Sequence, residues 1–371
     1  MTNTPMKICI IGGVFAKSVD YQRMVTITPE TVLADGLRSR GHEVFTAGHD
    51  ATVRYQDFDI AHVHHLARGA VAAALDRSLT PLVLTMHNDP VGLSQRLAYG
   101  FVVRRSDALV DLSPALAGER VRLARRYNVL HRVIPPGTPS AHFPARVPSP
   151  PSRGEPWRLL FVGQLVPIKR VDLLLRAVLI LSGRHFVQLD LVYHNDKEEA
   201  RLRELAISLG VADRVTFRGG IAQGELATFY HRAHAVILPS EGDFVPSVLT
   251  EAMMCGTPVV ATTVGGIADQ VGSFGVLVRP GDALMLADGI DHLIDEFAHY
   301  RSLATDMAAT ARERFSVEAF ITRHEELYET LRTNRLRGSR RSRMASARSL
   351  PMRASFQLWS FARRRRHTAG E

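Results

Sequence analysis

The sequence predicts an α/β protein with two domains, each a doubly wound parallel sheet, that face each other across a cleft. Short, continuously apolar runs alternate with helix-length segments in both halves of the chain, as is typical of strands buried on both faces. Eight prolines within residues 135–156 interrupt this alternation. At 371 residues and 46% hydrophobic composition, the chain is long enough to bury two separate cores.

The first domain is predicted to span residues 1–137. Lys7–Ile11 is its first strand, and Gly12 and Gly13 form the turn after it. The sequence Thr-Pro-Glu at 28–30 predicts the start of a helix, because it supplies an N-cap, a proline at the first helical position and an acid in the first turn. Further buried strands are predicted at residues 43–47, 59–63, 82–86 and 108–112.

The second domain is predicted to span residues 157–315, after a proline-rich linker at 138–156. Its strands are predicted at 158–162, 188–192, 214–217, 235–238, 258–261 and 275–278, and its first helices at 171–182, 198–209, 225–231 and 249–255. A closing helix at 316–334 and a basic tail at 335–371 complete the chain. Ligands of such sheets bind at the carboxyl ends of the strands, so we expect the functional site there.

The charge distribution argues against a nucleic-acid-binding protein. The net charge is +9, but residues 335–371 contain 11 arginines and a single acid, Glu371. The rest of the chain therefore has 35 basic and 36 acidic residues, which gives no reason to expect a track for nucleic acid. We expect no nucleic-acid partner.

The tail itself is consistent with two behaviours. Its arginines lie near Phe356, Leu358, Trp359 and Phe361. This combination fits contact with an anionic membrane, to which each basic residue contributes about 1 kcal/mol. The alternative is a solvated tail without a partner.

Cysteine content and hydropathy predict the compartment. Cys9 and Cys255 lie in unrelated settings, which indicates free thiols and a reducing environment. The first residues contain only a short apolar run without a cleavage signal, and no apolar stretch reaches the about 18 residues of a spanning helix. We expect a cytoplasmic protein, with peripheral contact with the inner face of the membrane as the alternative.

Residues suited to a sugar diphosphate are concentrated in the second domain. Lys169 follows a strand and a glycine turn, near the start of a helix, where an ammonium group and free backbone N–H groups suit a diphosphate. Asp243 on a loop and Glu251 on a helix belong to the segment 239–266, PSEGDFVPSVLTEAMMCGTPVVATTVGG. Carboxylates so placed can bind ribose and sugar hydroxyls, although most acids are simply exposed.

The segments LLFVGQLVPIK, at 159–169, and 239–266 resemble the nucleotide-sugar domain of family-four glycosyltransferases of the GT-B fold. The resemblance covers both halves of the chain in order and is densest over 160–266. It implies transfer of a sugar from a UDP-, GDP- or ADP-linked donor to a carbohydrate or lipid-linked acceptor, with retention of anomeric configuration. It implies no metal and no other cofactor.

The resemblance also assigns roles in the second domain. Lys169 holds the donor diphosphate, Glu251 the ribose, and Asp243 lies near the transferred sugar. Gly265 and Gly266 lie against the donor.

In the first domain, the resemblance places Gly12 and Gly13 near the acceptor, and we expect His64 on the same side. His87, in the run LVLTMHND, matches a family histidine at the end of a strand and would contact the donor sugar. We therefore predict His87, Lys169 and Asp243 as catalytic residues.

Two positions depart from the family pattern. Gln164 stands where an arginine usually helps to bind the diphosphate, and loss of such a charge-assisted contact costs roughly 1.5–3 kcal/mol. Asp243 stands where a glutamate is usual. Either another arginine, such as Arg170 or Arg218, compensates for the missing charge, or the enzyme is slow or inactive.

Two other polar clusters have residue types found in metal sites, but we predict that neither binds a metal. His62, His64 and His65 resemble a metal cluster, but no carboxylate or cysteine stands at ligand spacing, so we expect cleft-edge hydrogen-bond donors. Asp57 and Asp59 form a D-x-D pair that we interpret as the polar entrance of a strand.

Three other functions stay open. One is a nucleotide-sugar epimerase of the same architecture, and another is a protein that binds a sugar nucleotide without catalysis. The third is a nicotinamide oxidoreductase, which is disfavoured because Gly12 and Gly13 lack the rest of the dinucleotide fingerprint.

Overall fold

The computed structural model describes residues 4–18, 28–76, 79–87, 90 and 92–336. The predicted basic tail lies outside the described residues except for its first two positions. The described chain divides into two compact units. The first contains the residues up to Leu112, residues 117–134 and the residues from Ile321 onwards, and the second contains Ser113–Leu116 and Pro135–Phe320.

The first unit is built on a six-stranded parallel sheet in the order β2-β1-β3-β4-β5-β6. The strands are β1 Lys7–Ile11, β2 Glu43–Ala47, β3 Ile60–His64, β4 Leu82–Thr85, β5 Ala108–Asp111 and β6 Leu130–Val133. The helices are α1 Pro29–Ser39, α2 Arg68–Leu75, α3 Gly92–Arg105 and α4 Pro114–Arg126, and α4 has a kink at Gly118. Strand β6 was not predicted from the sequence.

Helix α1 begins where the sequence predicts it. The Thr31 backbone N–H donates to Thr28 Oγ1 at 3.2 Å, and the Thr28 backbone N–H donates to Thr31 Oγ1 at 3.0 Å. This reciprocal cap satisfies backbone donors that the first turn cannot pair internally. The capped turn places Glu30 close to the end of β1.

The second unit is built on another six-stranded parallel sheet, in the order β12-β11-β10-β7-β8-β9. The strands are β7 Trp157–Val162, β8 Val187–Tyr193, β9 Val215–Gly219, β10 Ala235–Leu238, β11 Val259–Thr262 and β12 Gly275–Val278. The helices are α5 Val171–Leu181, α6 Glu199–Ser208, α7 Leu226–Arg232, α8 Ser247–Cys255, α9 Ile267–Val271, α10 Ala283–Asp295, α11 Phe297–Ser302 and α12 Ala304–Phe315.

The last described helix, α13 Val317–Leu336, starts in the second unit and continues in the first. Within the first unit, its Tyr328 hydroxyl lies 2.6 Å from His62 Nδ1. The side chain of Ile321 occupies the space where a Cβ of Gly36 would lie. The closing helix is thus packed into the core of the first unit.

These two sheets confirm the predicted fold class, an α/β fold with two doubly wound parallel sheets. The strand order reverses between β1 and β3 in the first unit and between β7 and β10 in the second. Ligands of such sheets bind outside the carboxyl ends of the strands at this reversal. We therefore expect ligand-binding residues directly after β1, β3, β7 and β10.

Cys9 and Cys255 are both buried and free. Among the described helices, none is long and apolar enough to cross a lipid bilayer.

Candidate functional site

Three loops of the second unit meet at the carboxyl ends of β7, β10 and β11. The Glu241 backbone N–H donates to the Ile168 carbonyl at 2.9 Å, which joins the loops after β10 and β7. The Gly266 backbone N–H donates to the Phe244 carbonyl at 2.7 Å, which joins the loops after β11 and β10. This arrangement lies at the strand-order reversal between β7 and β10.

Lys169 and Asp243 come together inside this group of loops. Lys169 Nζ donates to Asp243 Oδ1 at 2.7 Å and to Oδ2 at 2.8 Å. The two side chains are 17% and 15% exposed, so the pair is largely shielded but still reached by solvent. The structure therefore brings together two of the three residues that the sequence predicts to be catalytic.

The glycines after β11 allow the backbone of the Asp243 segment to come close. Gly265 has a φ of +52°, and a Cβ there would lie 1.8 Å from the Asp243 carbonyl oxygen. A Cβ on Gly266 would lie 2.5 Å from the Phe244 carbonyl oxygen. A side chain at either position would overlap the backbone of the loop that bears Asp243. Only glycine therefore allows this loop to pack so closely.

Glu251 lies in α8 and is only 7% exposed. The Tyr230 hydroxyl donates to Glu251 Oε2 at 2.7 Å. Burial raises the pKa of Glu251, and hydrogen bonds from Tyr230 and Ser247 partly offset this rise. Tyr230 is a partner that sequence reasoning missed, because nothing in the spacing of residues 230 and 251 marks the contact.

The other predicted donor-binding side chains lie outside the Lys169–Asp243 contact. Gln164 follows β7, and its Nε2 lies 3.4 Å from His194 Nε2. Arg218 lies in β9 and donates to Asp190 Oδ1 at 2.6 Å. Each has its own partner in the described structure.

Arg170, the other residue considered as a replacement for the missing arginine, directly follows Lys169. Its φ of +50° is one that glycine adopts more easily. Its guanidinium binds Asp172 and Glu241.

In the first unit, Gly12 allows Glu30 to approach the end of β1. A Cβ at Gly12 would lie 2.8 Å from Glu30 Cγ, so a larger residue would displace the carboxylate. Glu30 is 5% exposed. Gly13 begins a 3-10 turn, Val14–Ala16.

Three histidines and Glu30 gather at the ends of β3 and β4. His64 Nδ1 lies 3.0 Å from His87 Nε2, and the rings of His65 and His87 are stacked with centroids 4.1 Å apart. His65 Nε2 lies 3.4 Å from Glu30 Oε1. The expectation that no carboxylate accompanies these histidines is wrong, because the fold brings Glu30 beside His65 from a helix 35 positions earlier in the chain.

Burial controls the ionisation of this group. It lowers the pKa of His87 to about 4 and that of His64 well below its usual value. Burial alone would raise the pKa of Glu30, but the neighbouring His65, His64 and His87 outweigh it and the pKa lies well below the usual range. At neutral pH the cluster therefore contains the Glu30 carboxylate next to the neutral imidazoles of His64 and His87.

His62 is part of the core. It lies in β3, is fully buried, and its Nε2 lies 2.7 Å from Thr85 Oγ1. Its interpretation as a cleft-edge donor is therefore wrong. The D-x-D pair does lie at a strand entrance, since Asp59 Oδ2 accepts the Lys7 backbone N–H at 2.9 Å.

A buried charged cluster at the end of β5 was also missed. Asp111 is fully buried and is bound by Arg120 Nη1. His131 Nε2 lies 2.8 Å from the other oxygen, Oδ2. The three residues join β5, α4 and β6, which indicates a structural role.

Comparison with known proteins gives a consistent picture. The profile of the family described as "Glycosyl transferases group 1" matches residues 144–314. The D-inositol 3-phosphate glycosyltransferase of Acidothermus cellulolyticus is 33% identical over 268 residues, 64% of this chain and 60% of that enzyme. The enzyme of the same name from Thermobispora bispora is 30% identical over 304 residues, 73% of this chain and 70% of that enzyme.

The chain belongs to this glycosyltransferase family. It is thus a member of an enzyme family that transfers sugars, class EC 2.4. Among solved structures, Anabaena HepE in complex with UDP superposes with a TM-score of 0.69 at 20% identity, covering 88% of this chain and all of that one. This likeness is one of fold, and it confirms the predicted GT-B architecture.

Within this glycosyltransferase, the profile match includes Lys169, Asp243 and Glu251 but not the histidine cluster of the first unit.

Proposed function

We propose that this glycosyltransferase moves a sugar from a nucleotide-diphosphate donor to an acceptor hydroxyl, with retention of anomeric configuration. The observation that carries the proposal is the Lys169–Asp243 pair beside the strand-order reversal of the second unit. A lysine ammonium group has three N–H donors. Two of them bind Asp243, and the third is available for a donor diphosphate.

Each predicted residue has a role in this proposal. Lys169 and backbone N–H groups near it stabilise the negative charge that develops on the leaving diphosphate. Asp243 orients Lys169 and accepts a hydrogen bond from a hydroxyl of the transferred sugar. Glu251, fixed by Tyr230, binds the ribose, and His87 contacts the donor sugar. The acceptor hydroxyl oxygen attacks the anomeric carbon from the face that the diphosphate leaves, and its proton passes to the departing diphosphate oxygen, so that no enzyme nucleophile is required. No metal cofactor is part of the proposal.

We propose a UDP-linked donor, with GDP- and ADP-linked sugars as alternatives. HepE, which shares the fold, is known in complex with UDP. Direct comparison of the three nucleotides identifies the donor.

For the acceptor, we propose a polar polyol that carries a phosphate group. The relatives are named for D-inositol 3-phosphate, and the match spans 60% and 70% of the two enzymes compared above. A lipid-linked acceptor is the alternative. A lipid-linked acceptor would fit a cytoplasmic enzyme that is held against an anionic membrane by its arginine-rich tail, which we propose together with it.

A thermal-shift screen against UDP-, GDP- and ADP-sugars tests the donor assignment. A donor at 100 times its Kd stabilises the folded state by about 2.7 kcal/mol, so one nucleotide should raise the melting temperature clearly above the other two. The same shift should be absent in Lys169→Ala. Equal, small shifts with all three nucleotides would contradict the proposal.

A non-catalytic sugar-nucleotide binding protein is the second candidate, because Gln164 and Asp243 depart from the family pattern. Product analysis separates the two functions. The enzyme releases the nucleoside diphosphate only when an acceptor is present, whereas a binding protein shows a thermal shift and no release. An epimerase would alter the donor without any acceptor.

A further inference from the structure

Glu30, His65 and His87 of the first unit form a compact set of metal-ligating side chains. Each offers one ligand atom, and these atoms all lie within 4.8 Å of one another. The residues come from three separate segments: the first turn of α1, the end of β3 and the end of β4. Because they lie far apart in the sequence, no pattern of ligand spacing marks them.

The distance between two of the ligand atoms fits a tetrahedral ion. His65 Nε2 and Glu30 Oε1 are 3.4 Å apart. Two ligands at about 2.0–2.1 Å from a zinc ion, separated by the tetrahedral angle, lie ~3.4 Å apart. An ordinary N–H···O hydrogen bond is shorter, at about 2.7–3.2 Å.

The backbone presents these ligands in a fixed arrangement. His65 has a φ of +68°, a left-handed conformation that is unfavourable for a residue with a side chain. Gly12 leaves the space that the Glu30 side chain fills. Both features keep the imidazole and the carboxylate near each other without a bound ion.

A fourth residue, His64, contacts the proposed ligand His87 and orients its ring. His64 Nδ1 lies 3.0 Å from His87 Nε2, close enough for one ring to donate a hydrogen bond to the other. If His87 Nε2 donates, its Nδ1 has a lone pair available for a metal. Metal-binding histidines commonly use their second nitrogen in such a contact.

We propose that Glu30, His65 and His87 bind a divalent transition-metal ion, of which Zn²⁺ fits the two nitrogens and one oxygen best. His65 is 38% exposed, which gives the ion access from solvent and leaves a fourth position for water. The proposal concerns ion binding and shares one residue, His87, with the proposed donor site, so an ion bound there would compete with the donor sugar for that side chain. Sugar transfer itself has no requirement for the ion.

A second group of potential ligands in the chain serves as a comparison. His185, Asp291 and Asp295 also place their ligand atoms within 4.8 Å of one another. There, however, Arg184 Nη1 donates to Asp291 at 2.5 Å, and His185 Nε2 lies 2.5 Å from the same carboxylate. The arginine occupies the carboxylate with a positive charge, which opposes a cation.

The test is a titration of the full-length, chelator-treated protein with Zn²⁺ in competition with a chromogenic chelator, and with Co²⁺ followed by visible absorption. We expect one tight site per chain and an intense, tetrahedral Co²⁺ spectrum. His65→Ala should weaken binding by at least about 100-fold, more than loss of an outer partner costs. His185→Ala is the matched control and should leave the affinity unchanged.

Glu30→Gln is the second variant and should also lose the site, since an amide oxygen is a poor Zn²⁺ ligand. Thermal unfolding in the presence of chelator verifies that each variant is folded. If the buried Glu30→Gln variant does not fold, the half-exposed His65→Ala variant decides. Absence of a tight site in the wild type, or unchanged affinity in His65→Ala, overturns the proposal.

Discussion

Lys169 and Asp243 form a two-fold hydrogen-bonded ion pair, with Nζ 2.7 Å and 2.8 Å from the two carboxylate oxygens. They are 74 residues apart in sequence and meet because β7 and β10 are neighbours in the second sheet. The pair fixes a long, flexible lysine in one orientation. In the proposed function, a donor diphosphate would therefore meet a preorganised ammonium group rather than a mobile side chain.

Lys169→Ala should lower kcat/KM for sugar transfer at least about tenfold, because a hydrogen bond to a charged group contributes about 1.5–3 kcal/mol. Steady-state kinetics with the identified donor give the measurement. Lys197→Ala, which removes an exposed lysine of the same unit, is the control and should retain full activity. Equal rates for the two variants would refute the assigned role.

Glu251→Gln should change the pH dependence of stability. The pKa of Glu251 is raised above 4.5 by burial, so the folded state keeps a proton that the unfolded chain releases. The free energy of unfolding of the wild type therefore loses a contribution as pH rises through the raised pKa. The variant lacks this loss, so its stability relative to the wild type should increase as pH rises above 4.5, until Glu251 is ionised in the folded wild type as well.

Urea denaturation at several pH values measures this difference. Glu204→Gln replaces an exposed acid on α6 and should show no such trend. A relative stability of Glu251→Gln that is constant with pH would exclude the proposed burial effect.

Gly265→Ala should displace the loop that bears Asp243. The positive φ alone costs a residue with a Cβ about 1–2 kcal/mol, and overlap with the Asp243 carbonyl adds to this. We expect a lower melting temperature and at least about tenfold weaker donor binding by calorimetry. Gly224→Ala, where a Cβ meets no atom within 4 Å, should leave both unchanged.

Asp111→Asn should destabilise the first unit. Breaking a buried ion pair leaves Arg120 without its charged partner and costs about 3–5 kcal/mol. Asp35→Asn breaks the exposed contact with Arg38 and should cost at most about 1 kcal/mol. Chemical denaturation of both variants provides the comparison, and similar losses would show that burial of Asp111 has no energetic weight.

Deletion of residues 337–371 should abolish sedimentation with vesicles that contain anionic phospholipid. The segment carries 10 arginines, each contributing about 1 kcal/mol near such a surface. The full-length chain with vesicles of neutral lipid is the control. If the shortened chain sediments as well as the full-length one, the membrane proposal is abandoned.

Much of the fold could be predicted from the sequence because its cause is local. The runs that became β1 and β10 are apolar at almost every position, and Thr28 caps α1 with its own side chain. Strand β6 was missed, since Leu130–Val133 contains His131 and Arg132 and its residues are only partly buried at the sheet edge.

The site could be predicted only where one segment carries the signal. Lys169, Asp243 and Glu251 stand in recognisable segments, and the structure places the first two in contact. The contacts of Glu30 with His65 and of Tyr230 with Glu251 depend on how distant segments pack, which no local pattern encodes.

The passage of α13 from the second unit into the first has a consequence for synthesis of the protein. His62 finds its Tyr328 partner only after some 260 further residues have been translated. At about 5–20 residues per second this delay is on the order of ten seconds or more. The amino-terminal sheet therefore cannot complete the packing around His62 until the last described helix has been made.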